Sequence, residues 1–153
     1  MSSNGSTAAI YNSTFRHGVD EKRRIQIPAA WRPEEDNTQL TLILWRQRAE
    51  GACLRVLPPK EIDKLMAQLD AMPSGNPQKT ILKRIIGAES AQVTLDKAGR
   101  ICVPDNMARV AGIEGEVVLV GLLDRFEIWN PERYEKVNMA DAILVQEALK
   151  LLE

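Results

Sequence analysis

Histidine occurs once, at His17, and cysteine only twice, at Cys53 and Cys102, in a chain of 153 residues. One histidine leaves a single possible base for a histidine-dependent triad, and nothing here has the spacing of a zinc site or a CxxC pair. Phosphate-binding loops of the GxGxxG or GxxxxGK[ST] type and a nucleophile elbow are missing too. The longest apolar run, Val117 to Leu123, breaks at Gly121, whereas a bilayer-spanning helix needs about 20 residues, so no membrane crossing is expected. Residues 1–9 are small and polar, without the basic flank and apolar stretch of a secretory signal. Both cysteines sit in apolar stretches, and the expectation is reduced, buried thiols in a cytosolic protein. Charge of one sign is not in excess either. The 20 Lys+Arg against 21 Asp+Glu give a net of −1, which argues against coating nucleic acid by bulk charge.

What is present is a folding composition, 44% hydrophobic and 27% charged, with one local basic cluster. Arg16, Lys22, Arg23, Arg24 and Arg32 stand there against only Asp20 and Glu21. A nucleic-acid surface, if built at all, must be small and local.

The chain repeats itself. Val19-Asp20-Glu21-Lys22-Arg23-Arg24-Ile25-Gln26-Ile27-Pro28 returns as Leu95-Asp96-Lys97-Ala98-Gly99-Arg100-Ile101-Cys102-Val103-Pro104. A fainter echo links Leu54-Arg55-Val56-Leu57-Pro58-Pro59 to Phe126-Glu127-Ile128-Trp129-Asn130-Pro131. Units this small are expected to share one core as an internal pseudo-dimer. Each reads as a strand, a D-x-x-x-R loop, an alternating strand stopped by proline, a short turn or helix, and two more strands. The expected boundaries are a disordered extension over 1–12, a first domain over 13–58, a helical linker over 59–88, a second domain over 89–130 and a helix over 131–153. Within the linker, Ile62, Leu65, Met66 and Leu69 have helical spacing. In the tail, Val137, Ala140, Ile143, Leu144, Ala148, Leu151 and Leu152 form a stripe expected to dock on the barrel or on a neighbouring chain. Trp31, Trp45 and Trp129 lie beside apolar strands and are expected to pack there instead of stacking on bases.

Aspartate at a strand end accepts hydrogen bonds from backbone N–H groups ahead of it, so Asp20 and Asp96 suit tight loops. Arg24 and Arg100 follow four residues on, close enough for each carboxylate to orient a guanidinium while leaving some donors free. A planar fork held at a loop tip suits a phosphate or a guanine edge. The bland reading is that each pair only tethers its own hairpin. An acid–base role for Asp20 and Asp96 fits poorly, because each arginine lowers its partner's pKa.

The two loops, Ile27-Pro28-Ala29 with Trp31-Arg32, the Leu57-Pro58-Pro59 exit, Gly87-Ala88, and Val117 through Trp129 resemble the MraZ family of bacterial transcriptional regulators. The resemblance runs from Phe15 to about Tyr134. It implies an α+β fold, mainly β with helices: a tandem AbrB-like swapped-hairpin β-barrel pseudo-dimer with connecting and C-terminal helices. It also implies a nucleoid-associated regulator, in the cytoplasm, of the division and cell-wall gene cluster and its own gene. The partners implied are double-stranded DNA at promoter repeats and further copies of the chain in a ring, with no cofactor, metal, membrane or small-molecule substrate. DNA contact falls on Arg24 and Arg100, joined by Lys22, Arg23, Lys97 and Arg16, with Asp20 and Asp96 orienting the loops. Ala98 replaces the basic residue that Lys22 supplies, which suggests weaker binding by the second loop. Arg23 departs from the glycine that Gly99 retains, so either the first loop turns differently or Arg23 adds a phosphate contact. Ring avidity would multiply weak contacts, with the acid of Glu34-Glu35-Asp36 kept away from the loops. The alternative is a protein-binding module such as a toxin-neutralising antitoxin of the same barrel class, whose tail should be acidic and disordered.

Overall fold

The computed structural model describes residues 10–46 and 49–153. The first repeat holds β1 (Thr14–Gly18), β2 (Arg24–Gln26), a 3-10 turn (Ala29–Trp31), β3 (Leu40–Trp45), β4 (Cys53–Leu57) and α1 (Pro59–Asp70). After α2 (Pro77–Ala88), the second holds β5 (Ser90–Val93), β6 (Arg100–Cys102), α3 (Asp105–Ala111), β7 (Glu116–Gly121), β8 (Phe126–Trp129) and α4 (Pro131–Leu149). A 3-10 turn, Lys150–Leu152, closes the chain. The fold is thus mixed α+β. Local chemistry sets the boundaries. Prolines open α1, α2 and α4, where the missing N–H costs nothing. Asn76 and Asn130 cap α2 and α4 by accepting from Gln78 N and Arg133 N, and Gly112 ends α3 in the left-handed region at φ 69°.

The repeats are interleaved. One six-stranded sheet runs β1-β7-β8-β4-β3-β5, so each repeat's first strand pairs with the other repeat's third. The small β2–β6 pair also joins the repeats. Ile25 faces Ile101 there, and Arg55 faces Glu127 in β4–β8. Both are pairs of equivalent repeat positions, the pairing that a two-fold relation between the repeats would bring about.

Alternation along the strands builds one core from both repeats, as expected. Ile25, Ile27, Leu42 and Leu54 of the first meet Ile101, Val103, Leu119 and Ile128 of the second. The opposite face of β7 and β8 gives a second cluster of Val118, Trp129 and Cys53 under Val137 of α4. Trp31 and Trp129 are buried, and Trp45 is half-buried beneath the Arg55 guanidinium, 4.0 Å from the ring centroid.

Three expectations change. Cys102 is exposed, because β6 turns Ile101 inward and its neighbour outward. The tail stripe meets the body only at its start, with Val137 buried and Ala140 half-buried, while Ile143, Leu144, Leu151 and Leu152 are exposed, so docking on the barrel accounts for just the first part of the stripe. Residues 1–9 of the expected disordered extension lie outside the described residues, but Tyr11 belongs to the core. It exchanges backbone hydrogen bonds with Leu123 at 2.9 and 2.8 Å and packs on Trp31 and Phe126. Gly121 admits this segment, for a side chain there would run into the Tyr11 carbonyl.

Candidate nucleic-acid interface

The two D-x-x-x-R loops have the same construction. Oδ1 of Asp20 accepts from the backbone N–H groups of Lys22 and Arg24 at 2.9 and 2.8 Å, while Oδ2 accepts from Nε of Arg24 at 2.6 Å. Oδ1 of Asp96 accepts from Ala98 and Arg100 at 3.0 and 2.9 Å, and Oδ2 from Nε of Arg100 at 3.0 Å. Both carboxyls are held below the usual aspartate range. The backbone N–H of the arginine is the largest cause, opposed by partial desolvation and reinforced by the guanidinium. Among the described residues, the Nη nitrogens of Arg24 and Arg100 donate no hydrogen bond. Each fork is therefore fixed at its base; among the described residues the tip of Arg24 meets no carboxylate, whereas the tip of Arg100 lies toward Asp20.

Pairing of β2 with β6 sets the two loops side by side. Nη1 of Arg100 lies 3.9 Å from Oδ2 of Asp20. Each loop is also bound to the other repeat: Ile27 N donates to Gly99 O and Val103 N to Arg23 O, both at 3.0 Å. The Gln26 side-chain amide adds a bond to Ala98 O at 2.8 Å. Sequence reasoning misses this brace, although Gln26 stands outward between Ile25 and Ile27, which is the available signal.

Arg23 adopts φ 60° and Gly99 φ 81°, so the first loop makes the same turn despite its arginine. Its side chain points to the second repeat, where Nε donates to Val103 O at 3.1 Å and Nη1 lies 3.9 Å from Asp105. The equivalent carbonyl, Ile27 O, accepts instead from Nε of Arg32 at 2.9 Å. Arg32 covers Gly99 so closely that an added Cβ would stand 2.5 Å from its guanidinium carbon. Ala108 takes the place of Arg32 in the second repeat and leaves room for Arg23.

Of the remaining candidates, Lys22 is exposed on the first loop and its carbonyl faces the Cys102 thiol at 3.3 Å. Lys97 is exposed on the second. Arg16 is set apart on β1, paired with Glu116 at 3.0 Å. The acid at 34–36 is not remote from the loops. Glu35 and Asp36 line a groove of about 380 Å³ with Arg32, Asp96, Lys97 and Gly99. The connection after Pro33 folds back onto the second loop, which the charge pattern alone did not reveal. His17 is half-buried on β1, its ring stacked on Phe15 and its Nε2 buried without a partner among the described residues.

Residues 86–146 match the family described as "MraZ protein, putative antitoxin-like". Proteins named transcriptional regulator MraZ are similar over most of their length. One from Caulobacter vibrioides is 32% identical over 143 residues, 94% of this chain and 91% of that protein. One from Leuconostoc mesenteroides is 32% identical over 125 residues, 82% and 84% of the two chains. A third, from Clostridium tetani, is 30% identical over 144 residues, 94% and 98%.

Proposed function

Because the chain belongs to the MraZ family, we propose that it is a transcriptional regulator that binds double-stranded DNA through the twin loops at Asp20–Arg24 and Asp96–Arg100. The observation that carries this reading is the shared construction of the two loops. Each anchors a guanidinium through Nε, and the β2–β6 pair puts both at one place on the surface. Two positioned forks suit phosphates or guanine edges. Lys22 extends the first loop, whereas Glu35 and Asp36 stand beside the second, so the first carries the larger share of affinity. Arg23 and Arg16 contribute less, since both are held by other groups.

The fold behind this is an AbrB-like swapped-hairpin pseudo-dimer, and the strand exchange between repeats supports it. Several chains on successive promoter repeats would multiply weak loop contacts, and occlusion would repress the downstream genes, the division and cell-wall cluster among them. A toxin-neutralising role is less well supported. The tail over 131–149 is a continuous helix starting on the sheet, not an extended acidic strand.

The test is fluorescence anisotropy with labelled duplex from upstream of the protein's own gene, beside a scrambled duplex, across a salt series. Salt-sensitive binding that prefers the native sequence and disappears in Arg24→Ala/Arg100→Ala is expected. Equal binding to both duplexes, or none at low salt, would reject the reading.

A further inference from the structure

The two repeats share a plan that would let either pair with a copy of itself, yet their mutual contacts join unlike residues. Arg55 and Glu127 are one repeat position and face each other across β4 and β8. Nε of Arg55 donates to Oε2 of Glu127 at 2.9 Å, and the Glu127 side chain is only 12% exposed. Trp129 Nε1 donates to its other oxygen at 2.8 Å. Two first repeats placed together would set Arg55 against Arg55. Two second repeats would set Glu127 against Glu127. Either like pair would be largely shut from water, where an uncompensated charge is most costly.

Two other contacts point the same way. Glu61 of α1, with its side chain 8% exposed, accepts from Nη2 of Arg125 in the other repeat's hairpin at 3.1 Å. The position equivalent to Arg125 is Cys53, so a first repeat paired with itself would leave Glu61 only the exposed Lys64 of its own helix. Arg32, which lies over Gly99, would in that pairing fall on Arg23. The 2.5 Å approach measured at Gly99 leaves no space there for a side chain.

We propose that Arg55/Glu127, Glu61/Arg125 and Arg32/Gly99 form a pairing code by which a first repeat accepts a second repeat and rejects another first. A true dimer of identical subunits presents identical residues to itself on its axis. Joining the repeats in one chain removes that constraint, and unlike charges then give specificity by penalising the wrong partner. The code concerns assembly and is independent of the DNA-binding reading.

The register of β2 and β6 supplies a reporter in the full-length chain, since Arg24 stands opposite Cys102. Arg24→Cys therefore allows a disulfide, cross-strand neighbours being within bridging distance. Chains refolded from denaturant are oxidised, and the disulfide between position 24 and Cys102 is scored by mass spectrometry. We expect it within single chains of the parent, reduced roughly tenfold by Arg55→Glu or Glu127→Arg, and restored in part when both changes are combined, since Trp129 Nε1 then loses its carboxylate acceptor. The deciding arm refolds the two single variants together, one isotopically labelled. Their charges complement only between chains, so the link should appear between labelled and unlabelled chains, which neither variant gives alone. A merely stabilising ion pair would restore the combined variant but would not redirect partners. Single variants that link as completely as the parent, or a mixture without inter-chain links, would overturn the proposal.

Discussion

Ile25 and Ile101 face each other across β2 and β6, both fully buried and both the same position of the repeat. The contact adjoins the loops, for Arg24 and Arg100 are the residues just before Ile25 and Ile101 in their strands. The core thus positions the candidate interface through the two strands themselves. Ile25→Ala should cost about 2–5 kcal/mol through the cavity it leaves. Urea unfolding measures this, and the loss should appear as a lower midpoint with an unchanged slope.

Arg24→Ala should weaken specific duplex binding more than Arg100→Ala, because Lys22 stands beside the first fork and carboxylates beside the second. Each substitution should reduce the salt slope by about 1 if its guanidinium meets a phosphate. Thermal stability should hardly change, since exposed ion pairs contribute little. Anisotropy titrations and thermal scans together separate loss of contact from loss of folding.

Gly99→Arg should be destabilising by about 1–3 kcal/mol, because the new side chain meets Arg32 in a left-handed turn. Adding Arg32→Ala should recover much of that loss by giving the second loop the space that Ala108 gives the first. Arg23→Gly should be mild, exchanging a hydrogen bond to Val103 O for relief of a φ of 60°. Chemical denaturation of the three variants tests the exchange.

Acid should erode the loops in a defined direction. The folded pKa of Asp20 and of Asp96 is depressed, so their contribution is fully present above the unfolded aspartate value. It is lost as pH falls from about 4 through the lower folded values. Asp20→Asn/Asp96→Asn should flatten stability against pH in that acid window while leaving the dependence between pH 6 and pH 8 (roughly neutral) unchanged. Denaturant midpoints measured across the acid range check this.

Much of this protein was settled by local chemistry. The repeat was visible because both copies keep Asp, Arg, alternating apolar residues and proline in one order, and those residues make an aspartate-closed turn running into a short strand wherever they occur. Helix starts were readable from Pro59 and Pro131, and the end of α3 from Gly112, since these residues act through their own backbone. The distant contacts were another matter. That Arg32 covers Gly99, that Arg55 meets Glu127 across β4 and β8, that Glu35 and Asp36 return to the second loop, and that Tyr11 joins the core all depend on segments far apart in the chain. Sequence spacing constrains neighbours along a strand or helix, whereas these contacts depend on how two interleaved repeats close around one core. The same holds for Cys102, whose exposure follows from the inward turn of Ile101 in a strand only three residues long.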